Sequence, residues 1–321
     1  MHEQDKVGGG YAALGGISNF SFLRGASHPH ELIETAAVEG WSSCGIADYH
    51  TISGLVRAHQ SAIEKSVKLL CGVRLIINCS EQIEQSEQLI EEDRIEVIIY
   101  AKNRTGYESL CQLLSRLNMA LAHIPAVKRA TNLYIHVSEL ARLSSDVFVI
   151  IEAPELIKNY MAGQCQKIQK FVVAPLLLGS AIYRDGNDKK RLKYVSGLAA
   201  RLGLRFIALA APLYHHSSRR PLADVLYCIR TKQTLATAGR ELSRNAERHL
   251  MKISEYIRLW SEYPEAIIAA SQVAQACSFS LSELSYEYPE EIIPNGRSVM
   301  DELIYQTWQG AERRYPDGIP N

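Results

Sequence analysis

The first side chains in this sequence that could do chemistry stand at the end of a predicted strand. Residues 11–17 and 43–47 are predicted as strands; the first runs into a loop rich in Ser, Asn and Gly, and the second into Asp48 and His50. In folds with parallel strands, functional groups collect at the strands' C-terminal ends. Carboxylates and imidazoles are groups with which proteins hold metal ions that activate water. Asp48 and His50 are therefore the first candidates.

A second candidate group lies near a predicted helix start, where His215 and His216 precede Arg219 and Arg220. These side chains could contact a phosphate group. Basic residues at a helix start are also common on protein surfaces, so both interpretations stay open.

Two other patterns argue against familiar sites. The seven cysteines, at 44, 71, 79, 111, 165, 228 and 277, are scattered and never form CxxC, so neither a disulfide framework nor a structural zinc is expected. The glycines of VGGGYAALGG lie before and within the first strand rather than between a strand and a helix. They match neither a Walker loop nor a dinucleotide fingerprint.

The elements that would position these groups alternate between strands and helices. Apolar, β-branched runs predict strands at 11–17, 43–47, 68–78, 95–102, 147–151, 171–178 and 204–209. Helical spacing predicts helices at 29–39, 105–121, 138–143, 155–168 and 188–202, and an all-helical segment from Arg219 onward, with breaks at Pro264 and Pro289. Strands joined through helices favour a parallel sheet, and about seven of them are enough to close a barrel.

Charge and hydropathy limit the classes of partner. The 321 residues include 35 basic and 35 acidic side chains, so the chain as a whole lacks the basic surplus typical of nucleic-acid binding. Neither a signal peptide nor an apolar run of membrane-spanning length is present. We expect a cytoplasmic protein with no membrane partner.

Several stretches resemble one family. SNFSFLRGASHP, IADYHTISGLVRAH and KLLCGVRLI, followed by NRTGYESLCQLL, RRPLADVLYCIR and LSYEYPEEIIP, are similar to the N-terminal polymerase-and-histidinol-phosphatase (PHP) domain of bacterial C-family DNA polymerases, in their error-prone branch. The resemblance implies an α/β fold, a distorted seven-stranded (β/α) barrel followed by a helical C-terminal segment. It also implies a disordered leader at 1–10, the barrel with its C-terminal helices at 11–275, and a truncated start of the polymerase palm at 276–321.

The resemblance implies up to three metal ions, but most of the ligands are replaced. The family's His-x-His, Asp-His, Gly-x-Glu and Asp-x-His motifs fall, in this order, on Gly15-Gly16-Ile17, Asp48-Tyr49, Gly72-Val73-Arg74 and Ala211-Pro212-Leu213. Asp48 remains, His50 is displaced by one position, and His215 matches a histidine common in the family. These three and Arg74 are predicted to outline a remnant cavity. An arginine about 4 Å from a divalent ion costs on the order of 8 kcal/mol at an effective dielectric of roughly 20, so we expect no metal.

Arg74 suggests a more specific hypothesis, in which its charge replaces the metal and pairs with a buried Asp48. The alternative is that both side chains face solvent.

The expected function is that of a catalytically silent scaffold and docking domain in an error-prone polymerase of damage-induced translesion synthesis. The resemblance implies magnesium, template DNA, an inactive Y-family-like protein and the sliding clamp for the full polymerase, with DNA bound only through that assembly. No cofactor is expected for this segment, because most PHP metal ligands are replaced. The palm aspartates of similar proteins lie beyond its last residue, so the segment is not expected to polymerise DNA by itself. A stand-alone phosphoesterase with a rearranged metal site and a repurposed protein-interaction module are the alternatives.

Overall fold

The computed structural model describes residues 10–80, 91–120, 133–285, 293 and 296–318. The predicted leader lies outside this part except for Gly10, as do Pro289 and most of the polar insert between the third and fourth strands. The chain divides into two compact units, Met1–Glu283 and Leu284–Asn321. The first unit holds every strand and site residue described below.

One sheet contains all the named strands. They are β1 Ala12–Gly16, β2 Ser43–Tyr49, β3 Lys68–Asn78, β4 Arg94–Ala101, β5 Ile135–His136, β6 Val147–Glu152, β7 Leu176–Ala181 and β8 Arg205–Leu209. Their order is β1-β2-β3-β4-β6-β7-β8, and the short β5 pairs with β3 beside this path. The strand β4 runs antiparallel to β3 and β6, whereas the other pairs are parallel.

Backbone hydrogen bonds join the two ends of this sheet. The carbonyl oxygen of Leu14 in β1 accepts from the nitrogens of Ala210 and Ala211, at 3.1 and 2.9 Å, just after β8. The nitrogen of Ile17 donates to the oxygen of Pro212 at 3.0 Å. The seven main strands therefore form a nearly closed barrel, which confirms the predicted fold class.

Helices cover the barrel and follow it. They are α1 Pro29–Val38, α2 Leu55–Lys65, α3 Arg104–Ala120, α4 Met161–Phe171, α5 Asp188–Leu202, α6 Arg220–Thr231, α7 Leu235–Ala238, α8 Ile253–Leu259 and α9 Pro264–Ala276, with α10 Val299–Arg314 in the second unit. Among the described residues, none of the helices combines the length and apolar character needed to cross a lipid bilayer.

Some predicted boundaries are wrong. The strand predicted at 171–178 begins only at Leu176, because α4 continues through Phe171 and the β-branched Val172 and Val173 lie in the loop that follows. The helix predicted at 138–143 is a 3₁₀ segment, Val137–Arg142, and the two-residue β5 had no sequence signal of its own.

The barrel interior is apolar towards one end, the base. Leu14, Ile98, Ile150 and Ile207 pack there with alanines of α9. The segment after α9 is hydrogen-bonded to this end of the barrel. The backbone N–H of Ser278 donates to the carbonyl oxygen of Lys102, 2.7 Å away, which follows the last residue of the antiparallel β4. The base is thus the end where the parallel strands start, and the opposite end, the mouth, is where they finish.

Candidate functional site

The mouth of the barrel collects polar side chains from four neighbouring strands. Tyr49 ends β2 and is paired in register with Arg74 of β3, while Glu96 near the start of β4 is paired with Glu152 at the end of β6. Because β4 is antiparallel, its beginning reaches the level at which the parallel strands end. These four residues line a cavity of about 950 Å³.

Arg74 is buried in the wall of this cavity, with 1% of its side chain exposed. It forms an ion pair with Glu152, and its Nη1 lies 3.6 Å from Oε2 of Glu96. Its Nη2 donates to the carbonyl oxygen of Gly15 at 3.1 Å. A guanidinium remains charged at any ordinary pH, so the mouth contains a permanent, fixed cation.

Glu96 is held ionised by its neighbours. The hydroxyl of Tyr49 donates to Oε2, and Nη2 of Arg94 donates to Oε1 at 2.9 Å. Burial alone would raise the pKa of Glu96, but Arg74, Arg94 and the Tyr49 hydrogen bond outweigh it and bring the pKa to about 2. The carboxylate is therefore negative at neutral pH.

Neither glutamate is among the residues predicted from the sequence. Glu152 is the acid that ends the apolar strand VFVIIE, so the rule that selected Asp48 would also have selected it. The sequence indicates Glu96 less clearly. Side chains alternate between the two faces of a strand, so Glu96 shares its face of β4 with the inward-pointing Ile98 and Tyr100.

Asp48 is buried but does not pair with Arg74, so that predicted ion pair is wrong. Its Oδ1 accepts from the backbone nitrogen of Ser18 at 2.7 Å and from Oγ of Ser21 at 2.6 Å, and its Oδ2 accepts from Oγ of Ser18 at 2.6 Å. Burial raises the pKa of Asp48, and these hydrogen bonds oppose the rise. The alternative, that both residues face solvent, is wrong as well.

The reason is the alternation of side chains along a strand. Tyr49 points to the mouth, so the preceding residue, Asp48, points to the other face of β2, beneath the loop that contains Ser18 and Ser21.

The two predicted histidines keep their side chains out of the cavity, although the backbone nitrogen of His50 donates to the carbonyl oxygen of Arg74 at 2.9 Å. His50 is buried just after β2 with φ of 56°, and burial together with the charge of Arg24 lowers its pKa to about 3. His215 has its Nδ1 2.8 Å from Oγ of Ser27 and 3.6 Å from Oε2 of Glu31. Burial lowers the pKa of His215, against the opposing effect of Glu31. Among the described residues that line the cavity, neither histidine is present.

The positions of the replaced ligands have structural roles. Ile17 and Leu213 line the cavity as apolar walls. Gly15 adopts φ of +83°, and a Cβ there would lie 3.4 Å from Nη2 of Arg74. Ala211 is fully buried and binds Leu14 across the barrel seam. Gly15, which has no side chain, thus leaves the space beside the guanidinium of Arg74 open.

Arg219 and Arg220 are both engaged within the protein. Nη2 of Arg219 donates to Oε1 of Glu31, and Nη2 of Arg220 donates to the carbonyl oxygen of Ser243 at 2.8 Å. Nε of Arg220 also lies 3.5 Å from Oδ2 of Asp224. The phosphate contact predicted for this pair stays a prediction.

The metal ions that the sequence resemblance implied do not fit this mouth. The carboxylates that remain there, Glu96 and Glu152, both contact the guanidinium of Arg74. Within the described part of the chain, no group of three or more His, Cys, Asp or Glu side chains is arranged to hold an ion. A metal ion bound between Glu96 and Glu152 would have to displace the guanidinium of Arg74, which belongs to β3.

Comparisons with known proteins agree with the fold. Residues 17–172 match the family model described as the PHP domain. The chain is 35% identical over 311 residues to an error-prone DNA polymerase of Brucella abortus, and 32% identical over 310 residues to error-prone DNA polymerase 2 of Rhizobium meliloti. Both alignments cover 97% of this chain but only 28% and 26% of those proteins, so the chain spans about a quarter of the length of these relatives.

One solved structure similar to this chain is that of an amidohydrolase from Chromobacterium violaceum. It is 11% identical, with a TM-score of 0.46 over 62% of this chain and 86% of that chain. The family assignment depends on the sequence matches. Residues 17–172 carry a PHP domain, and the chain corresponds in sequence to a segment of error-prone DNA polymerases.

Proposed function

We propose that this chain is the PHP segment of an error-prone DNA polymerase and acts there as a metal-free scaffold and docking domain, without phosphoester hydrolysis of its own. One observation carries the proposal: the buried guanidinium of Arg74, in contact with Glu96 and Glu152, lies where the family's sequence pattern has a metal-binding glutamate.

The chemistry of hydrolysis supports the same conclusion. A metal-dependent phosphoesterase needs an ion with an open coordination position that lowers the pKa of bound water. At this mouth, Ile17 and Leu213 present hydrocarbon at two ligand positions, and Gly15 presents no side chain. An arginine can neutralise the carboxylates and brace the strands, but it cannot generate the nucleophile.

The wider role concerns the whole polymerase. The relatives' names and the share of their length covered here support the remainder of a polymerase chain as the first partner. The proposed reaction of the whole protein is magnesium-dependent nucleotidyl transfer on template DNA in damage-induced translesion synthesis. An inactive Y-family-like protein and the sliding clamp are its proposed partners, in the cytoplasm, with DNA contacted through the full assembly.

Metal analysis of the purified chain tests the absence of hydrolysis. After incubation with Zn²⁺ or Mn²⁺ and removal of unbound ion, we expect far less than one ion per chain by mass spectrometry. We also expect hydrolysis of bis(p-nitrophenyl) phosphate no faster than in the blank. One or more retained ions per chain together with turnover would favour the phosphoesterase alternative.

Complex formation tests the scaffold role. The chain should co-elute with the separately expressed remainder of the polymerase in size-exclusion chromatography. Failure of two folded segments to associate at micromolar concentration would contradict it.

A further inference from the structure

The mouth cavity carries more positive charge than its own carboxylates neutralise. Eight basic side chains line it, among them Arg24, Arg74, Arg94 and Arg230, against five acidic ones that include Glu96 and Glu152, a surplus of three positive charges. Both glutamates are occupied by Arg74, and Glu96 also accepts from Arg94. Glu96 and Glu152 therefore have little remaining capacity to form ion pairs with Arg24 and Arg230.

Two of the arginines contact aromatic rings instead of acids. The guanidinium of Arg24, in the loop after β1, lies 4.1 Å from the ring centre of Tyr49. That of Arg230, near the end of α6, lies 5.0 Å from the ring centre of Tyr227. Within the described part of the chain, neither Arg24 nor Arg230 has a carboxylate within salt-bridge distance. An aromatic face stabilises a guanidinium while leaving its N–H edge free to donate.

The other acids near this wall are also engaged. Asp224 lies 3.5 Å from Nε of Arg220, and Oε2 of Glu241 accepts from Tyr227 and Gln233 at 3.0 and 2.8 Å. Asp224 is thus paired with a different arginine, and Glu241 keeps its charge but forms no ion pair with Arg230 among the described residues.

Arg230 is half-buried in this cationic environment. Burial lowers its pKa, and the charges of Arg24 and Arg94 lower it further. Its Nε is buried and has no hydrogen-bond partner among the described groups. Like charges that are partly removed from water repel each other, and a bound anion would relieve this repulsion.

We propose that the barrel mouth binds a phosphate group directly, without metal, between the guanidiniums of Arg24 and Arg230, with Arg94 at its open side. The two arginines line the same cavity from different elements, and they lie close enough for their charges to interact. Their planar forks match phosphate oxygens in bidentate geometry. The cavity is large enough for a phosphate monoester such as a mononucleotide. The inference goes beyond the scaffold role, since a scaffold needs no ligand.

Isothermal titration of the whole chain with inorganic phosphate tests this inference. The buffer has low ionic strength and contains EDTA, so no metal can mediate binding. We expect saturable binding, and a weakening of about tenfold or more for Arg24→Gln and for Arg230→Gln, which corresponds to about 1.4 kcal/mol per tenfold. Arg258→Gln is the matched control, because Arg258 is 71% exposed on α8 and does not line the cavity.

Two further measurements make the outcome decisive. Circular dichroism establishes that each variant is folded, and Arg230→Lys keeps the charge but removes the fork, so it should bind more weakly than the parent chain. Deoxyadenosine monophosphate in a parallel titration distinguishes a phosphate ester from free phosphate as the preferred ligand. Heats that do not saturate, equal heats with chloride at the same ionic strength, or unchanged affinity in both folded glutamine variants would overturn the proposal.

Discussion

The base and the mouth of the barrel are built from the same strands, yet they are held together by different forces. Two residues apart on β4, Ile98 belongs to the apolar interior and Glu96 to the charged mouth; on β6, Ile150 and Glu152 show the same change. At the base, stability comes from packed hydrocarbon closed by α9. At the mouth it comes from a cation that contacts two carboxylates, an aromatic ring and a carbonyl oxygen.

This difference shows how a barrel can keep its fold while its chemistry changes. The base needs only side chains of suitable volume. The mouth needs balanced charge, because each buried charge must have a partner. Arg74 supplies that balance for Glu96 and Glu152, and the glycine at residue 15 leaves space for it.

Removal of the cation should have the largest effect on the mouth. Arg74→Ala leaves the buried Glu152 without its countercharge and removes one of the two arginines that contact the partly exposed Glu96, and breaking a buried pair in this way costs roughly 3–5 kcal/mol. Urea unfolding followed by circular dichroism measures the change. In the control, Arg258→Ala removes an exposed ion pair with Glu255 and should cost at most about 1 kcal/mol. Similar losses for the two variants would mean that the mouth contributes no more stability than the surface does.

A cavity at the base should cost about as much as, or slightly less than, the lost charge at the mouth. Ile207→Ala deletes buried hydrocarbon from the interior, which typically destabilises a protein by about 2–5 kcal/mol. Val225→Ala, at a 40% exposed position of α6, is its control and should change the unfolding free energy by less than about 1 kcal/mol. The loss at residue 207 should be independent of pH between 4 and 8, because no charge is involved. If the free-energy loss of Ile207→Ala clearly depended on pH, charge would contribute to stability at the base as well as at the mouth.

Sequence alone predicted the base better than the mouth. The barrel strands appear as apolar, β-branched runs, and the structure buries both faces of these runs. The partners of Arg74 depend on the register between β3, β4 and β6, which no local pattern contains. The hypothesis of an Asp48–Arg74 pair failed for a local reason, since alternation along β2 turns Asp48 away from the mouth. Glu152 was within reach of sequence reasoning because it ends an apolar strand.

The substitution Gly15→Ala, next to Arg74, should lower the unfolding free energy by an intermediate amount. Residue 15 has φ of +83°, a conformation that costs a residue with a side chain roughly 1–2 kcal/mol, and the new Cβ of Gly15→Ala would lie 3.3 Å from Cδ1 of Ile98. Gly197→Ala is a matched control within α5, where φ is ordinary and nothing lies within 4 Å of the new atom. It should stabilise the protein by about 0.5–1 kcal/mol. If both variants moved the melting temperature in the same direction, backbone strain at the mouth would be disproved.

The smallest effect concerns how stability depends on pH. Because neighbouring cations lower the pKa of Glu96 to about 2, its contribution is fully present above pH 4.5 and is lost as the pH falls towards 2. Glu96→Gln has no such charge, so the difference in unfolding free energy between parent and variant should be largest near pH 6 and should shrink by pH 3. Glu64→Gln, on the exposed side of α2, controls for the loss of one carboxylate. A difference that stays constant down to pH 2.5 would show that Glu96 stabilises the mouth by packing and hydrogen bonding rather than by its charge.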